Sequence, residues 1–379
     1  MNSRELKIEN FIERTQKFAQ MVSLLSSDSE LLAKIGENNS LFTPKMVKCA
    51  LDGIYSKGGV KSLLCRESLI QYIEKIERVY GAEYDQIIER NKDKRILVVA
   101  SGNIPAAGFA DFFISLMCGF KVTVKLSHSD QFLLKEIVKR AKECYPNGTL
   151  RFSTILIDST LEQYESLLRE DVDGIVFSGS SLNKAKIEAL ASKMKIPLLA
   201  RGTTFSLAIV DSFAGLNDNQ KEKIMKSLAF DIFCYYGQGC RSVSYLFLPQ
   251  DFDMKMFRTI ANLEWGDELN LNQGWKNNYF QQRTIARLTN KDYEDMDSFL
   301  LVRNDTPFPP TSVIYYDTYS CEKVKDFIEK YSNPSNQIQQ IYNIGKSYRC
   351  GSSQMFTLLE NINNTEGLEF FYRSFFNIK

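Results

Sequence analysis

The sequence predicts an α/β protein with a helical N-terminal region, a parallel-sheet lobe and a second α/β lobe. From residue 95 onward, short apolar runs rich in β-branched residues alternate with amphipathic stretches. This pattern is typical of parallel strands covered by helices on both faces. Before residue 93, apolar residues recur at helical spacing instead. We therefore predict a helical region over 1–92, a first lobe over 93–204 and a second lobe over 205–349.

The helical region carries two apolar stripes. Phe11, Phe18 and Met21 fall near helical spacing, and a second stripe runs over 69–80. The pair Thr43-Pro44 is typical of a helix start, because threonine caps the first turn and proline fits its first position. We expect these apolar faces to pack on the body of the protein, with a partner-binding surface as the alternative.

The first lobe is expected to bind its ligand at the carboxyl ends of its strands, as open parallel sheets do. Its strands are predicted at 96–100, 121–125, 152–157, 174–177 and 197–200, with helices after Pro105 and at 131–144, 161–168 and 183–194. In the second lobe, strands are predicted at 207–210, 243–248, 312–316 and 338–344, and helices at 221–233, 253–263 and 322–331.

Composition excludes several classes of function. The 47 basic and 46 acidic residues nearly cancel, so charge gives no argument for binding nucleic acid or an anionic membrane. The longest apolar stretch, 105–120, contains Asp111 and is shorter than the roughly 20 residues that span a bilayer. Eight scattered cysteines and no signal-like N-terminal run predict free thiols, no zinc cage and a cytoplasmic location.

His128 is the only histidine in the chain. A Ser-His-Asp or Cys-His catalytic pair would have to use it, as would any His-rich metal site. Covalent chemistry must therefore be arranged mostly without an imidazole.

The main candidate for a reactive side chain is Cys240, in segment 235–242 (YYGQGCRS). This segment follows an amphipathic stretch and precedes the apolar run 243–248, which predicts helix, irregular turn and strand. Its two glycines allow backbone conformations in which amide N–H groups point at the sulfur. The alternative is a small buried cysteine in a loop, a common environment for a free thiol.

Three predicted strand ends carry residues that suit a nucleotide. The Ser-Gly-Ser-Ser turn at 178–181 follows a buried strand and opens a helix, so its amides could meet a pyrophosphate or simply cap the helix. Lys125 could reach ribose or phosphate oxygens, or be a solvated strand end. Asn103, at a helix entrance, could donate a hydrogen bond to a developing oxyanion or merely cap the helix.

In this order and spacing, the motifs resemble those of the aldehyde dehydrogenase superfamily. The matching features are Gly-Asn-Ile-Pro with Asn103, Val-Thr-Val-Lys with Lys125, the Phe-Ser-Gly-Ser turn at 177–180, Gly202 after a strand and Gly-Gln-Gly-Cys with Cys240. The resemblance covers 95–250 well. Within the superfamily, the chain is most similar to the LuxC-type fatty acyl-CoA or acyl-protein thioester reductases.

The resemblance implies an aldehyde-dehydrogenase-like fold. Residues 93–204 would form the nucleotide-binding lobe and 205–349 the catalytic lobe. Segment 350–379 would return to the first lobe and contact a second subunit of a homo-oligomer. Cys240 would be the catalytic nucleophile and Asn103 would help to hold the oxyanion. Cofactor contacts would come from Lys125, Ser127, His128, Ser178, Gly179, Ser180 and Gly202, and no metal is implied.

Two departures from ordinary aldehyde dehydrogenases refine this expectation. Oxidising members carry a general-base glutamate in a Glu-Leu-Gly-Gly pattern, whereas this chain has Leu199-Ala200-Arg201-Gly202. An enzyme that works in the reductive direction does not need that base. NAD-preferring members often have a carboxylate three residues after the lysine, where this chain has His128. Because a histidine would not repel a 2′-phosphate, NADPH is favoured over NADH.

The expected reaction is the NADPH-dependent reduction of a fatty acyl thioester, acyl-CoA or acyl-protein, to the aldehyde through an acyl-cysteine. An acyl-protein synthetase or a carrier protein is an expected partner. One alternative is a thioester acyltransferase that uses the same cysteine, and others are a non-catalytic partner subunit and an acyl-phosphate reductase. The aromatic-rich passage 265–280 either lines an acyl tunnel or belongs to the core.

Overall fold

The computed structural model describes residues 3–38, 41–145, 151–156, 160–169, 172–332, 337–344, 353 and 362–376. The chain forms two compact units. The first comprises Met1–Gly202 together with Met355–Lys379, and the second comprises Thr203–Gln354. The N-terminal helices therefore belong to the same unit as the first sheet, and the C-terminal segment returns to that unit.

The N-terminal region of the first unit is helical, as predicted. Its α-helices are α1 (Ser3–Ser27), α2 (Ser29–Asn38), α3 (Pro44–Ile54), α4 (Arg66–Tyr80) and α5 (Tyr84–Asn91), with a short 3-10 helix at Val60–Leu64. The Thr43 hydroxyl accepts a hydrogen bond from the Met46 N–H at 3.4 Å, and Pro44 occupies the first position of α3. The predicted stripe over 69–80 is the buried face of α4.

The first unit also contains a five-stranded, fully parallel sheet. Its strands are β1 (Arg95–Val99), β2 (Lys121–Lys125), β3 (Phe152–Ile155), β4 (Gly174–Ser178) and β5 (Leu198–Arg201). The connecting helices are α6 (Phe109–Met117), α7 (Leu133–Cys144), α8 (Leu161–Leu168) and α9 (Ser181–Met194). The strand order β3-β2-β1-β4-β5 reverses direction between β1 and β4. Ligands of open parallel sheets bind at such a reversal.

Most predicted boundaries in this unit differ from the structure by one or two residues, and the helix after Pro105 differs by more. The helix expected directly after Pro105 begins only at Phe109, because Ala106 takes a left-handed backbone conformation with φ of +55°. The third strand, predicted over 152–157, ends at Ile155. Residue 157 lies outside the described residues.

The C-terminal segment packs on the first unit through aromatic side chains. It contains α14 (Ile362–Phe371) and one π-helical turn at Tyr372–Phe376. The ring centroids of Phe371 and Phe375 lie 4.7 and 5.5 Å from that of Phe120, which precedes β2. This contact buries apolar area that β-sheet packing alone would leave exposed.

The second unit is built on a six-stranded sheet with the order β11-β6-β7-β10-β9-β8. The strands are β6 (Phe205–Val210), β7 (Val243–Leu248), β8 (Tyr293–Asp295), β9 (Leu300–Arg303), β10 (Val313–Thr318) and β11 (Ile338–Ile344). Its helices are α10 (Asp218–Phe233), α11 (Met254–Leu271), α12 (Gln273–Leu288) and α13 (Cys321–Ser332). All strand pairs are parallel except β8 with β9. The sequence did not predict α12, β8 and β9.

The aromatic passage 265–280 belongs mainly to the core of the second unit. Trp275 and Tyr279 are buried, and the Trp275 indole N–H donates to the Ser298 carbonyl at 2.8 Å. Phe280 is 50% exposed, so it does not share that environment. The core interpretation therefore describes this passage better than a tunnel lining.

No helix among the described residues combines the length and the apolarity needed to cross a bilayer.

Candidate active site

The segment around Cys240 forms an irregular turn between α10 and β7, as predicted; we call residues 234–242 the nucleophile turn. It begins with a 3-10 turn at Cys234–Gly237. Tyr235, Tyr236 and Gly237 have φ values of +59°, +56° and +66°, so three successive residues are left-handed. Two of them are tyrosines, which rarely adopt this conformation, and each costs about 1–3 kcal/mol of local strain.

Burial of the two tyrosines holds this strained backbone in place. Tyr235 and Tyr236 are only 2% and 5% exposed, and the Tyr236 ring lies 6.2 Å from that of Trp275. Burial also raises the pKa of the Tyr236 hydroxyl. At Gly237 an added Cβ would lie 3.1 Å from the Ile232 carbonyl oxygen, so this position favours glycine for space as well as for φ.

Two hydroxyl groups hold the backbone next to the cysteine sulfur. The Ser206 Oγ, on β6, donates to the Cys240 carbonyl at 2.8 Å. The Tyr342 hydroxyl, on β11, donates to the Arg241 carbonyl at 3.3 Å. The Ser242 N–H donates to the Gly239 carbonyl at 2.9 Å, which closes the turn. Cys240 itself is partly exposed, which does not match the alternative of a fully buried cysteine.

Sequence reasoning missed both of these hydroxyls. Ser206 is fully buried, and its only signal is that it is a polar residue at the start of an otherwise apolar strand. Tyr342 lies about a hundred residues downstream on β11, which pairs with β6, and no local pattern relates it to Cys240.

The other predicted site residues lie in the first unit, at the carboxyl edge of its sheet. Val99 of β1 is in register with Lys125 of β2 and with Phe177 of β4. Because these strands are parallel, Asn103, Lys125 and the turn after Ser178 follow strand ends at one edge. This edge includes the β1–β4 reversal.

The side-chain amide of Asn103 is oriented by a neighbouring hydroxyl. The Ser101 Oγ donates to Asn103 Oδ1 at 2.5 Å. The acceptor oxygen of the amide is thereby engaged, and the donor Nδ2 is the atom with the right chemistry for an oxyanion. Ser101 is a third residue that the sequence analysis missed, although it lies in the same Ser-Gly-Asn stretch as Asn103.

The loop after β2, which contains Ser127 and His128, is packed against the loop after β1. The Ser129 Oγ donates to the Gly102 carbonyl at 2.9 Å and lies 3.0 Å from the Ser127 Oγ. A Cβ at Gly102 would overlap the hydroxyls of Ser127 and Ser129, so glycine is required for this approach. His128 is exposed, and its carbonyl accepts a hydrogen bond from the Gln131 amide.

Lys125 is almost completely buried at the end of β2, with 4% of its surface exposed. Its ammonium lies 5.8 Å from the centroid of the Tyr164 ring, within the range of a cation–π interaction. The alternative of a solvated strand end is therefore wrong. A buried ammonium at the carboxyl edge is suited to an anionic ligand.

The turn after β4 starts α9. The Ser180 hydroxyl accepts a hydrogen bond from the Asn183 N–H at 3.3 Å, so it serves as the helix cap. The Gly179 N–H donates to the Arg201 carbonyl, and an added Cβ at Gly202 would lie 3.1 Å from the Ser181 Oγ. The N-terminus of α9 thus lies at the carboxyl edge, where its partial positive charge suits a phosphate.

The chemistry of this edge fits a dinucleotide better than a metal ion. It offers the Lys125 ammonium, a helix N-terminus and several hydroxyls. The described residues contain no group of three or more His, Cys, Asp or Glu side chains that could hold a metal. The predicted site residues thus fall into two groups, one at this edge of the first unit and Cys240 in the second unit.

The chain is similar to one known family and to several solved structures. Residues 7–264 match the family described as acyl-CoA reductase (LuxC). No curated protein sequence matches the chain significantly. Of the solved structures, the substrate-bound state of AldH from Staphylococcus aureus is 15% identical, with a TM-score of 0.55 over 97% of this chain and 83% of that chain.

Two further structures agree in fold. The NAD-dependent aldehyde dehydrogenase from Sinorhizobium meliloti is 11% identical, with a TM-score of 0.60 over 92% of this chain and 83% of that chain. The succinic semialdehyde dehydrogenase from Streptococcus pyogenes, in complex with NADP+, is 12% identical, with a TM-score of 0.56 over 91% and 88%. At these identities the likeness shows the fold alone, and it confirms the predicted aldehyde-dehydrogenase-like α/β class.

Proposed function

The chain belongs to the acyl-CoA reductase (LuxC) family, as its motifs predict, and is thus an oxidoreductase that acts on an acyl or aldehyde group. On this premise we propose that it reduces a fatty acyl thioester to the aldehyde through an acyl-cysteine on Cys240, with NADPH as the reductant. The observation that carries this proposal is the nucleophile turn. Strained, buried tyrosines and two hydroxyl groups fix the backbone there, while the cysteine remains partly exposed.

In the proposed first step, the Cys240 thiolate attacks the thioester carbonyl carbon. A new C–S bond forms, the C–S bond to CoA breaks, and the departing CoA thiolate takes up a proton from solvent. The step needs no imidazole, which is consistent with a chain whose single histidine is exposed and lies in the other unit.

Attack by the thiolate moves negative charge onto the carbonyl oxygen. This oxyanion needs hydrogen-bond donors to stabilise it. The Cys240 N–H is one proposed donor, because the hydrogen bond from Ser206 to the carbonyl of the same residue restrains the orientation of the turn. The Asn103 Nδ2 is the other, because Ser101 engages the oxygen of that amide. Preorganised donors of this kind typically contribute about 100-fold or more to the rate.

The proposed cofactor residues are Lys125, Ser127, His128 and the 178–180 turn with Gly202. When bound, NADPH supplies the hydride that reduces the acyl-cysteine. Lys125 would pair with a phosphate or ribose oxygen, and the N-terminus of α9 would bind the pyrophosphate. His128 is exposed and uncharged or positive, so it would accept a 2′-phosphate that an aspartate or glutamate there would repel.

Oxidising aldehyde dehydrogenases carry a general-base glutamate where this chain has residues 199–202, and the residues found here suit a reductive enzyme. Leu199 and Ala200 have no proton-transfer group. The Arg201 guanidinium donates to Asp111 at 2.9 Å and to Glu366 at 2.8 Å, so it is engaged in ion pairs within the first unit. No side chain of this strand would activate water against the acyl-cysteine, and the intermediate would be protected from hydrolysis.

The proposal is tested by quenched-flow measurement of free CoA after mixing the protein with acetyl-, octanoyl- or palmitoyl-CoA. We expect a burst of about one CoA per Cys240, which Cys240→Ala abolishes and Cys321→Ala, at an exposed thiol, preserves. Steady-state oxidation of NADPH should exceed that of NADH at equal concentration. An undiminished burst with Cys240→Ala would remove this residue from the role. Parallel assays with an acyl-protein and an acyl phosphate show which acyl donor the protein uses.

A further inference from the structure

A strained alanine follows the proposed oxyanion residue closely in the chain. Ala106 has φ of +55°, which costs a non-glycine residue about 1 kcal/mol or more. It lies three residues after Asn103, within the irregular stretch between β1 and α6. A strained residue persists only where its surroundings hold it, so the contacts of Ala106 identify what fixes this loop.

The group that holds Ala106 is a buried carboxylate. Asp130 is 3% exposed, and its Oδ2 accepts a hydrogen bond from the Ala106 N–H at 2.5 Å. Its Oδ1 has no hydrogen-bond partner in the described part of the chain. Burial raises the pKa of this carboxyl to about 6, although the Ala106 N–H opposes the shift. Burying such a group lowers stability, so its presence calls for another explanation.

Two contacts from the loop after β2 fall on either side of Asn103. The Ser129 Oγ donates to the Gly102 carbonyl, one residue before Asn103. The Asp130 carboxylate accepts from the Ala106 N–H, three residues after it. The backbone of the asparagine is thereby fixed at both ends, and the Ser101 hydroxyl fixes its amide.

We propose that Asp130 is a positioning residue, which holds Ala106 in its left-handed conformation and thereby fixes the Asn103 amide in the orientation that its proposed role as an oxyanion donor requires. This inference rests on the proposed function, because it assigns Asp130 an effect only through Asn103. Asp130 does not touch the reacting atoms. It acts on how well a donor is preorganised, the property on which oxyanion stabilisation depends.

The test is the single-turnover rate of CoA release from octanoyl-CoA by the full chain without NADPH, which separates acylation from cofactor binding. We expect Asp130→Ala to slow acylation at saturating octanoyl-CoA by about tenfold, with little change in the half-saturating concentration. Asn103→Ala should slow it by about 100-fold. In the double variant, Asp130→Ala should add no further loss, because the two residues act as one unit.

Two rescue variants separate positioning from general damage to the fold. Asp130→Asn retains an oxygen that can accept from the Ala106 N–H, so it should keep most of the rate. Asp130→Ala combined with Ala106→Gly should be faster than Asp130→Ala alone, because glycine adopts this φ without help. Should Asp130→Ala not fold, Asp130→Ser, with a hydroxyl too short to reach the same N–H, replaces it.

The outcomes distinguish the inference from the proposed function. If Asp130→Ala is acylated at the rate of the unmodified protein while Asn103→Ala is acylated slowly, the inference is wrong and the proposed function stands. The inference would also be wrong if the two losses of acylation rate multiplied in the Asp130→Ala and Asn103→Ala double variant. If Asn103→Ala has no effect while Cys240→Ala is inactive, both the oxyanion role of Asn103 and the inference fall. A burst that persists with Cys240→Ala removes the proposed function itself.

Discussion

At the scale of single residues, the nucleophile turn depends on Ser206, a serine with no exposed surface. The Ser206 side chain is fully buried and donates to the carbonyl of Cys240 itself. A hydrogen bond inside a protein contributes about 1 kcal/mol, but leaving its carbonyl unsatisfied costs about 1–3 kcal/mol. The nucleophile turn is therefore sensitive to the loss of one buried oxygen atom, the Ser206 Oγ.

We expect Ser206→Ala to lower the free energy of unfolding by about 1–2 kcal/mol and to slow acylation by about tenfold, because the Cys240 N–H loses its fixed direction. Urea unfolding and quenched-flow CoA release measure the two effects. Ser115→Ala is the control, since Ser115 is equally buried and donates to the Asp111 carbonyl within α6. That variant should lose stability without losing rate. Equal rates in both variants would contradict the role of Ser206.

The raised pKa of Asp130 predicts a pH dependence of stability. The folded carboxyl has a pKa of about 6 against an ordinary value of 3.8. The folded state therefore binds the proton more tightly than the unfolded state, and stability falls as pH rises through this window. Relative to the unmodified protein, Asp130→Asn should gain about 2 kcal/mol in free energy of unfolding between pH 4 and pH 7.

Urea unfolding at a series of pH values tests this expectation. Ser129→Ala, in the same loop but without a titrating group, should differ from the unmodified protein by a constant amount over the range. A constant difference for Asp130→Asn as well would show that the carboxyl is not perturbed in the folded protein.

Individual residues also show the limit of sequence reasoning. Cys240 and Asn103 stood out because each lies in a glycine-containing turn that follows an apolar pattern. Ser206 and Asp130 carried no such signal, because an ordinary serine or aspartate becomes important only through the neighbour that the fold brings to it. The left-handed conformation of Tyr235 and Tyr236 was equally invisible, since tertiary burial imposes it against the local preference.

At the scale of secondary-structure elements, the nucleophile turn is defined by its left-handed run. Gly237 has φ of +66°, and a Cβ there would approach the Ile232 carbonyl at 3.1 Å. Gly81, at the end of α4, has a similar φ of +59° but open space around it. These two glycines share one backbone requirement and differ in packing, which makes them a matched pair.

We expect Gly81→Ala to lower the free energy of unfolding by about 1 kcal/mol, the penalty of the left-handed conformation, without affecting acylation. Gly237→Ala should lose more stability, because the turn must also move away from the carbonyl. The same movement should slow CoA release. If both variants lose the same stability and keep the same rate, the nucleophile turn is not held as the structure indicates.

A buried ion-pair network joins three elements of the first unit. Arg201, at the end of β5, contacts Asp111 of α6 and Glu366 of α14. The Asp111 side chain is 5% exposed and the Glu366 side chain is 48% exposed. Removing Asp111 leaves the mostly buried Arg201 with only the half-exposed Glu366 as its partner, whereas solvent can largely replace Glu366.

Asp111→Asn should therefore lower the free energy of unfolding by about 3 kcal/mol, and Glu366→Gln by less than about 1 kcal/mol. Chemical denaturation of the two variants provides the comparison. A larger effect of Glu366→Gln would mean that the C-terminal helix, and not α6, is the main partner of Arg201.

At the scale of the whole molecule, both units rely on parallel sheets whose strands could be recognised from sequence. The predicted strands 96–100 and 243–248 agree with β1 and β7 to within one residue, because strands buried on both faces have little polar sequence. α12 was missed because its sequence, QGWKNNYFQQRTIARL, is rich in asparagine and glutamine and buries few side chains. The three-residue β8 is too short to produce a pattern.

The proposed reaction of the whole molecule depends on a covalent acyl group that forms on Cys240 and is then reduced. Intact-protein mass spectrometry after mixing with octanoyl-CoA, followed by peptide mapping and a chase with NADPH, measures this directly. We predict one octanoyl adduct, located on the peptide that contains Cys240, which disappears on addition of NADPH as octanal is released. Octanal formed without any adduct, or an adduct on another residue, would contradict the account.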